Sequence, residues 1–211
     1  MKVSAVIPAY NEAERIGAVI APLLQSGAVH EIVVVDDGST DSTAEVAARY
    51  GVKLVRLPEN RGKAAALDAG VKAAEGDVLL FLDADLVGLR PEHVHKLLAA
   101  YKQGDAEIVI GVFKEGRAGT DLSMKIVPFL SGQRVLSRRV WERLRHAVDE
   151  MEFGVEAALT KVAFKEGWKH KKVVLEGVSH VRKEEKRGFT SGLWDRMAMY
   201  WDILRSLLKK L

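Results

Sequence analysis

The sequence predicts an α/β fold: a mostly parallel sheet flanked by helices, followed by an amphipathic C-terminal helix. Three observations predict it. Short apolar runs rich in β-branched residues alternate with helical patterns through the first half of the 211 residues, as expected of right-handed crossovers onto one sheet. The strand-like runs are continuous rather than alternating, as in strands covered on both faces. Three of them end abruptly in polar clusters, at Asn11 and Glu12, at Asp36 and Asp37, and at Asp83 and Asp85.

Taken in order, Val3 to Ile7 reads as a strand that stops at Pro8-Ala-Tyr-Asn-Glu12, and Ile16, Val19, Ile20, Leu23 and Leu24 follow at helical spacing. Glu31 to Val35 is a second buried strand, Asp36 to Asp41 is rich in turn and N-cap residues, and Ala44 to Tyr50 is helical. Val52 to Leu57 is a third strand. Pro58-Glu-Asn-Arg-Gly-Lys63 then leads into an alanine-rich helix up to Ala74. Gly76 hands over to Asp77-Val-Leu-Leu-Phe-Leu-Asp-Ala-Asp85, an apolar strand closed by two carboxylates one residue apart. A helix from Pro91 to Tyr101 and a strand from Ala106 to Val112 complete the regular part.

Past Phe113 the alternation fails. Lys114 to Asp121 is a polar, glycine-containing loop, Ile126 to Leu130 is apolar, and Ser131-Gly-Gln-Arg134 is a polar turn. Val135 to Arg145 resumes helical spacing, and Phe153 to Glu166 reads as a further helix behind the acidic residues Asp149, Glu150 and Glu152. Trp168 to Leu175 looks like an edge strand dotted with lysine, leading to His180. From Leu193 to Leu211, Trp194, Met197, Trp201, Leu204 and Leu208 share one helical face. Residues 1–192 are read as one domain, with halves 1–112 and 113–192, and 193–211 as an appended helix.

Composition narrows the classes. With 48% hydrophobic residues the chain buries a core, and the net charge of +3, with both signs interspersed, gives no electrostatic footprint for nucleic acid. The absence of cysteine removes disulfides, thiolate metal sites and cysteine nucleophiles together. Pro8 breaks the N-terminal apolar run, and no apolar segment reaches spanning length. The reading is a cytoplasmic protein, soluble or peripheral at the inner face of the membrane.

In a parallel sheet the carboxyl ends of successive strands lie along one edge, so the three polar clusters converge on one crevice. There an Asp-x-Asp pair can hold a hard divalent cation, and through it a diphosphate. Each cluster taken singly is equally explained by turns and helix caps. The first strand is not followed by Gly-x-Gly-x-x-Gly, and there is no Gly-x-x-x-x-Gly-Lys loop. A phosphate here would depend on a cation and on side chains such as Arg61 and Lys63.

Ile7-Pro-Ala-Tyr-Asn-Glu12, Val35-Asp-Asp-Gly-Ser-Thr-Asp41, Asn60-Arg-Gly-Lys63 and Asp83-Ala-Asp85, in this order and spacing, resemble the nucleotide-binding half of family 2 glycosyltransferases with the GT-A fold, over roughly residues 3–112. The resemblance implies that Pro8, Ala9, Tyr10, Asn11 and Glu12 wrap a nucleoside, that Asp37 meets the base, and that Arg61 and Lys63 lie near base or diphosphate. It places Asp83, with Ala84 behind it, at the ribose and the metal. Asp85 would bind the Mg²⁺ or Mn²⁺ that bridges the diphosphate of a nucleoside diphosphate-sugar donor. Ser131, Gly132, Gln133 and Arg134 resemble the acceptor loop of dolichol-phosphate sugar synthase-like members. Glu156, with Glu152 in reserve, then stands where an acidic residue faces the acceptor and would serve as general base.

Residues 119–156 are also similar to glucosyl-3-phosphoglycerate synthases, which retain configuration and use a small phosphorylated acid. In those a late histidine completes the metal site, and His180 takes that place, the other reading being a structural histidine at a strand end. Dolichol-phosphate synthases carry a polar residue where this chain has Val87, a loss that His180 would offset. Arg182, Lys183, Lys186 and Arg187 read either as a solvated loop or as a lid bringing cations to the diphosphate. The tail helix suits a membrane surface, the core, or a homodimer partner.

The implied reaction is metal-dependent transfer of a sugar from a UDP- or GDP-sugar, with inversion, to a lipid-linked or a small polar acceptor. Other classes stay open: a haloacid dehalogenase-like phosphatase, since Asp83-Ala-Asp-Leu-Val87 resembles its nucleophile motif although that motif normally ends the first strand, a sugar-nucleotide pyrophosphorylase, and a non-catalytic nucleotide-binding module.

Overall fold

In the computed structural model, which describes residues 1–113, 131–148, 159, 162–163 and 166–180, strands and helices alternate as the apolar runs require. The elements are β1 (Val3–Ala9), α1 (Ile16–Ser26), β2 (Glu31–Asp36), α2 (Thr43–Ala48), β3 (Lys53–Arg56), α3 (Gly62–Ala73), β4 (Val78–Phe81), β5 (Leu86–Val87), α4 (Pro91–Lys102), β6 (Ile108–Phe113), β7 (Arg134–Ser137), α5 (Arg138–Val148), β8 (His170–Leu175) and β9 (Ser179–His180). The chain divides into two compact units, Met1–Ser179 and His180–Leu211. Of the second, only His180 is described, as the last residue of β9.

Seven strands form one mixed sheet in the order β3-β2-β1-β4-β7-β6-β8, and β5 pairs with β9 in a separate two-stranded ribbon. β1, β2, β3 and β4 run parallel, as do β6 and β8. β7 runs antiparallel to both β4 and β6. The expected parallel sheet is therefore interrupted by one reversed strand.

The period of two along each strand sorts side chains onto two cores. Ala5, Ile7, Val34, Leu80, Val109 and Val135 face α1 and α4, where Ile16, Ile20, Val94 and Leu97 meet them. Val6, Val33, Val35, Leu79, Phe81, Ile110 and Leu136 face α3 and α5, against Ala66, Leu67, Val71, Trp141 and Leu144. Burial on both faces explains the uninterrupted apolar runs, and each such Val or Leu contributes about 1.5–3 kcal/mol. α3 sits close on the sheet because Gly70 has no side chain. A Cβ there would lie 2.4 Å from Val6 Cγ1 and 2.9 Å from Val35 Cγ2.

The second half departs from the sequence reading at one place. Val135 to Arg145 is not one helix: Arg134–Ser137 is β7, and helix begins only at Arg138. Strand and helix are joined with no turn residue between them, so Val135, Leu136, Val140, Trp141 and Leu144 present one helical spacing across the junction. The gap between β4 and β6, which the strand fills, decides it. Arg138 then locks the junction, donating from Nη1 to the Val71 carbonyl (2.8 Å) and from Nη2 to those of Ala74 (2.7 Å) and Gly76 (3.0 Å), where its charge also suits the α3 C-terminus. β8 lies at the sheet's edge, as its lysines suggested. Of the expected 153–166 helix, Leu159, Val162 and Ala163 are helical, Glu166 already lies in a turn, and the rest lies outside the described residues. So do Glu152, Glu156, Arg182, Lys183 and the whole 193–211 tail. No helix among the described residues is long and apolar enough to cross a membrane.

Candidate active site at the carboxyl edge of the sheet

The register sets the carboxyl ends of β1, β2 and β4 along one edge: Ala9 pairs with Asp36, and Val6 with Phe81. The loops leaving those ends are stitched together by side chains. Asn11 adopts a left-handed φ of 55°, which asparagine tolerates better than most residues. Its backbone amide donates to Ser39 Oγ (3.0 Å) and its side-chain oxygen accepts from the Thr40 amide (2.9 Å). The Glu12 amide donates to Thr43 Oγ1 (2.8 Å), and Asp41 accepts from the amides of Ala13 (3.2 Å) and Thr43 (2.9 Å). Burial alone would raise the Asp41 carboxyl, but the hydrogen bonds from the Thr43 hydroxyl and these amides outweigh it and hold it below its ordinary range. Pro8 and Ala9 belong to β1, Tyr10 is exposed, and Glu12 is buried and accepts from Arg15 Nη1 (3.2 Å).

Asp37 is buried, and its two carboxylate oxygens accept the amides of Arg61 and Gly62 at 2.9 Å each. It therefore caps the start of α3. Gly38 completes the approach: at φ 69° a Cβ would lie 2.5 Å from the Glu59 carbonyl carbon and 2.7 Å from the Asn60 nitrogen. The Arg61 side chain is exposed, while Lys63, one residue into α3, reaches across to Asp83 Oδ1.

Asp83 follows β4, whose end is steadied by Phe81 packed edge-on against Trp141, with ring centroids 5.0 Å apart. Its other oxygen, Oδ2, accepts from Gln133 Nε2 at 2.7 Å. Gly132 passes against the carboxylate so closely that a Cβ would lie 2.4 Å from Oδ1 and 2.5 Å from Oδ2. Ala84 is buried beneath the turn and β5 follows, its Val87 exposed and its partner strand β9 carrying His180. Asp83, Asp85 and His180 form a group able to hold a metal ion, each offering one ligand atom within 4.8 Å of the others. Two carboxylates and an imidazole suit Mn²⁺ by their mixed O/N character, and Mg²⁺ through the oxygens.

The structure thus brings together Asp83, Asp85, Lys63, Gln133, Gly132 and His180, and separately joins the 8–12 loop to 37–43. Ser131 donates to the Gly111 carbonyl, and Arg134 is buried in β7 with Nε on the Ser131 carbonyl (3.0 Å). Sequence reasoning named neither the contact of Gln133 and Gly132 with Asp83 nor the staple formed by Ser39, Thr40, Asp41 and Thr43. The density of turn and cap residues over Asp36 to Asp41 hinted at the staple. Nothing local signals the first, because it spans 50 residues and depends on β7.

The family description "Glycosyl transferase family 2" matches residues 4–168. Among curated relatives, the dolichol-phosphate mannosyltransferase of Pyrococcus furiosus is 41% identical over 117 residues, covering 53% of this chain and 33% of that protein. The glucosyl-3-phosphoglycerate synthase of Mycolicibacterium smegmatis is 42% identical over 106 residues, covering 46% of this chain and 35% of that one. The chain therefore spans about a third of the length of these curated relatives. Crystal structures of glucosyl-3-phosphoglycerate synthase from Mycobacterium tuberculosis superimpose more widely. The complex with Mn²⁺, UDP and glucosyl-3-phosphoglycerate has a TM-score of 0.72 at 26% identity and covers 99% of this chain and 79% of that one. The complex with Mg²⁺ and UDP has the same TM-score. By the extent of the family match, the chain belongs to glycosyl transferase family 2.

Proposed function

We propose that this chain moves a sugar from a nucleoside diphosphate-sugar, UDP- or GDP-linked, to an acceptor hydroxyl or phosphate, in a reaction that needs a divalent cation. The observation that carries this reading is the Asp83, Asp85 and His180 group at the carboxyl edge of the sheet, beside the stapled 8–12 and 37–43 loops. Asp83, Asp85 and His180 would hold a Mg²⁺ or Mn²⁺, which would supply Lewis-acid stabilisation where negative charge grows on the departing diphosphate. The chain's own groups do the rest. The 8–12 loop and Asp37 hold the nucleoside, and Lys63, next to Asp83, adds a positive charge that the diphosphate can recruit. Glu156, or Glu152, removes the acceptor proton as the anomeric carbon is attacked directly, which inverts its configuration. Arg182 and Lys183 close over the diphosphate and keep water out.

The acceptor divides two readings. A polyprenyl phosphate is favoured by the dolichol-phosphate relative, and it would place the chain at a membrane surface through residues 193–211. A small phosphorylated acid, with retention, is favoured by the superposition, spanning 99% of this chain, on a complex that holds Mn²⁺, UDP and glucosyl-3-phosphoglycerate.

Two variants test the shared claim. Asp85→Asn abolishes Mn²⁺-dependent binding of UDP or GDP in isothermal titration, and unchanged binding removes the metal from the account. Glu156→Gln keeps nucleotide binding and stops sugar transfer, and full activity dismisses it as the base.

A further inference from the structure

The Asp83 carboxylate is addressed from two sides by groups of different kind. Lys63, on α3, donates a charged N–H to Oδ1, and its side chain keeps 33% of its exposure. Gln133, with no exposure at all, donates a neutral N–H to Oδ2 at 2.7 Å. We propose that Gln133 is a positioning residue that presets the Asp83 carboxylate for a divalent cation. This rests on the reading of Asp83 as a cation ligand.

The direction of the hydrogen bonds is forced. An ionised carboxylate only accepts, so the Gln133 NH₂ must face Asp83 and its Oε1 must face the other way. There the Ser131 hydroxyl lies 2.7 Å from Oε1. The main chain at Gln133 is fixed as well, since its carbonyl accepts the Gly111 amide of β6 at 2.8 Å and the next residue begins β7. The amide therefore hangs from a strand clamped between β4 and β6, and a buried amide without its partner would be costly. Gly132 makes the reach possible by leaving room for the carboxylate.

The chemistry of an amide suits the task. A guanidinium or ammonium locked at this point would neutralise the carboxylate and compete with the incoming cation. A neutral N–H orients one oxygen and leaves the charge in place. Lys63, a third exposed at the start of α3, can yield to a metal, whereas Gln133 is held by its burial. Hydrogen bonds to ligating carboxylates of this kind are worth about 10–100-fold in metal affinity.

The test is Mn²⁺ titration, followed by electron paramagnetic resonance, of the full chain in saturating UDP or GDP. Gln133→Met, of similar volume and without a donor, weakens Mn²⁺ about 10–100-fold. Val135→Ala, in the same buried strand, lowers the melting temperature and keeps Mn²⁺ affinity. Wild-type Mn²⁺ affinity in Gln133→Met overturns the inference. So does an equal loss in Val135→Ala, since the effect would then be general destabilisation. If Gln133→Met does not fold, Gln133→Asn, which keeps the amide but falls one methylene short of Asp83, takes its place: weaker Mn²⁺ binding supports the positioning role and unchanged binding overturns it. Failure of the wild-type protein to bind Mn²⁺ under any nucleotide is a different result, which rejects the donor site itself.

Discussion

Gly132→Ala puts one methyl group into the heart of the site. Gly132 does not have a positive φ, so alanine suits its backbone and the whole cost is steric. The new Cβ would stand 2.4 Å from Asp83 Oδ1, 2.5 Å from Oδ2 and 2.7 Å from Cγ, against an ordinary contact of about 3.5–4.0 Å. Either the carboxylate turns away by about an ångström or the β7 lead-in moves. If the carboxylate turns, it forfeits the Gln133 bond, a charge-assisted bond of about 1.5–3 kcal/mol. If the backbone moves, overpacking costs about 1–3 kcal/mol. Loss of glycine's freedom in the unfolded chain returns about 0.4–1 kcal/mol, leaving a net loss of about 1–2 kcal/mol. For a chain of this size that lowers the melting temperature by about 2–8 °C. Metal affinity falls by about 10–100-fold, because both routes misplace a ligand. Differential scanning calorimetry and Mn²⁺ titration read the two effects. A variant that melts with the wild type and binds Mn²⁺ equally well refutes the packing of Gly132 against Asp83.

Two further outcomes follow from the same contacts. Asp37→Ala removes the oxygens that accept the Arg61 and Gly62 amides. It costs about 0.5–2 kcal/mol of stability in urea denaturation without any nucleotide, whereas a residue serving only the base would leave the apo protein unchanged. His93 is buried with Nδ1 accepting the Arg90 amide at 3.1 Å, and burial first, then the Arg90 charge, hold its imidazole below the ordinary 6.5. The unfolded chain then takes up a proton that the folded chain refuses, so this group lowers stability as pH falls through about 6.5 and stops doing so only below the folded value. Melting temperatures between pH 8 and pH 5 should show a shallower acid slope in His93→Gln, and an identical slope removes His93 from the balance.

What the sequence made legible follows from the range of the interactions involved. β1, β2 and β4 are short, buried on both faces and rich in Val, Ile and Leu, so their existence and parallel direction could be read from local pattern. Their polar ends share one edge because parallel register requires it, so Asp37, Asp83 and Asp85 could be placed there without any contact being known. Role was less legible than place. The carboxylate of Asp37, expected at a base, also caps α3, a contact that depends on the loop ending at Arg61. Arg134 read as turn and Val135 to Ser137 as helix, because a four-residue strand is too short to show a period of two, and the helix begins at once. With β7 unseen, the reach of Gln133 to Asp83 could not be inferred either. His180 was reached through resemblance rather than through spacing, since its place depends on the ribbon of β5 and β9.

A thermal-shift panel puts the metal-dependent nucleotide-sugar site to the test. UDP-, GDP-, ADP- and dTDP-sugars are each offered to the full chain with Mn²⁺, with Mg²⁺ or with chelator. At a hundred times its dissociation constant a ligand adds about 2.7 kcal/mol, which for this length raises the melting temperature by about 5–11 °C. A metal-dependent donor site gives such a shift with a UDP- or GDP-sugar, lost on chelation and absent in Asp85→Asn. No shift with any nucleotide, or one indifferent to the metal, contradicts it.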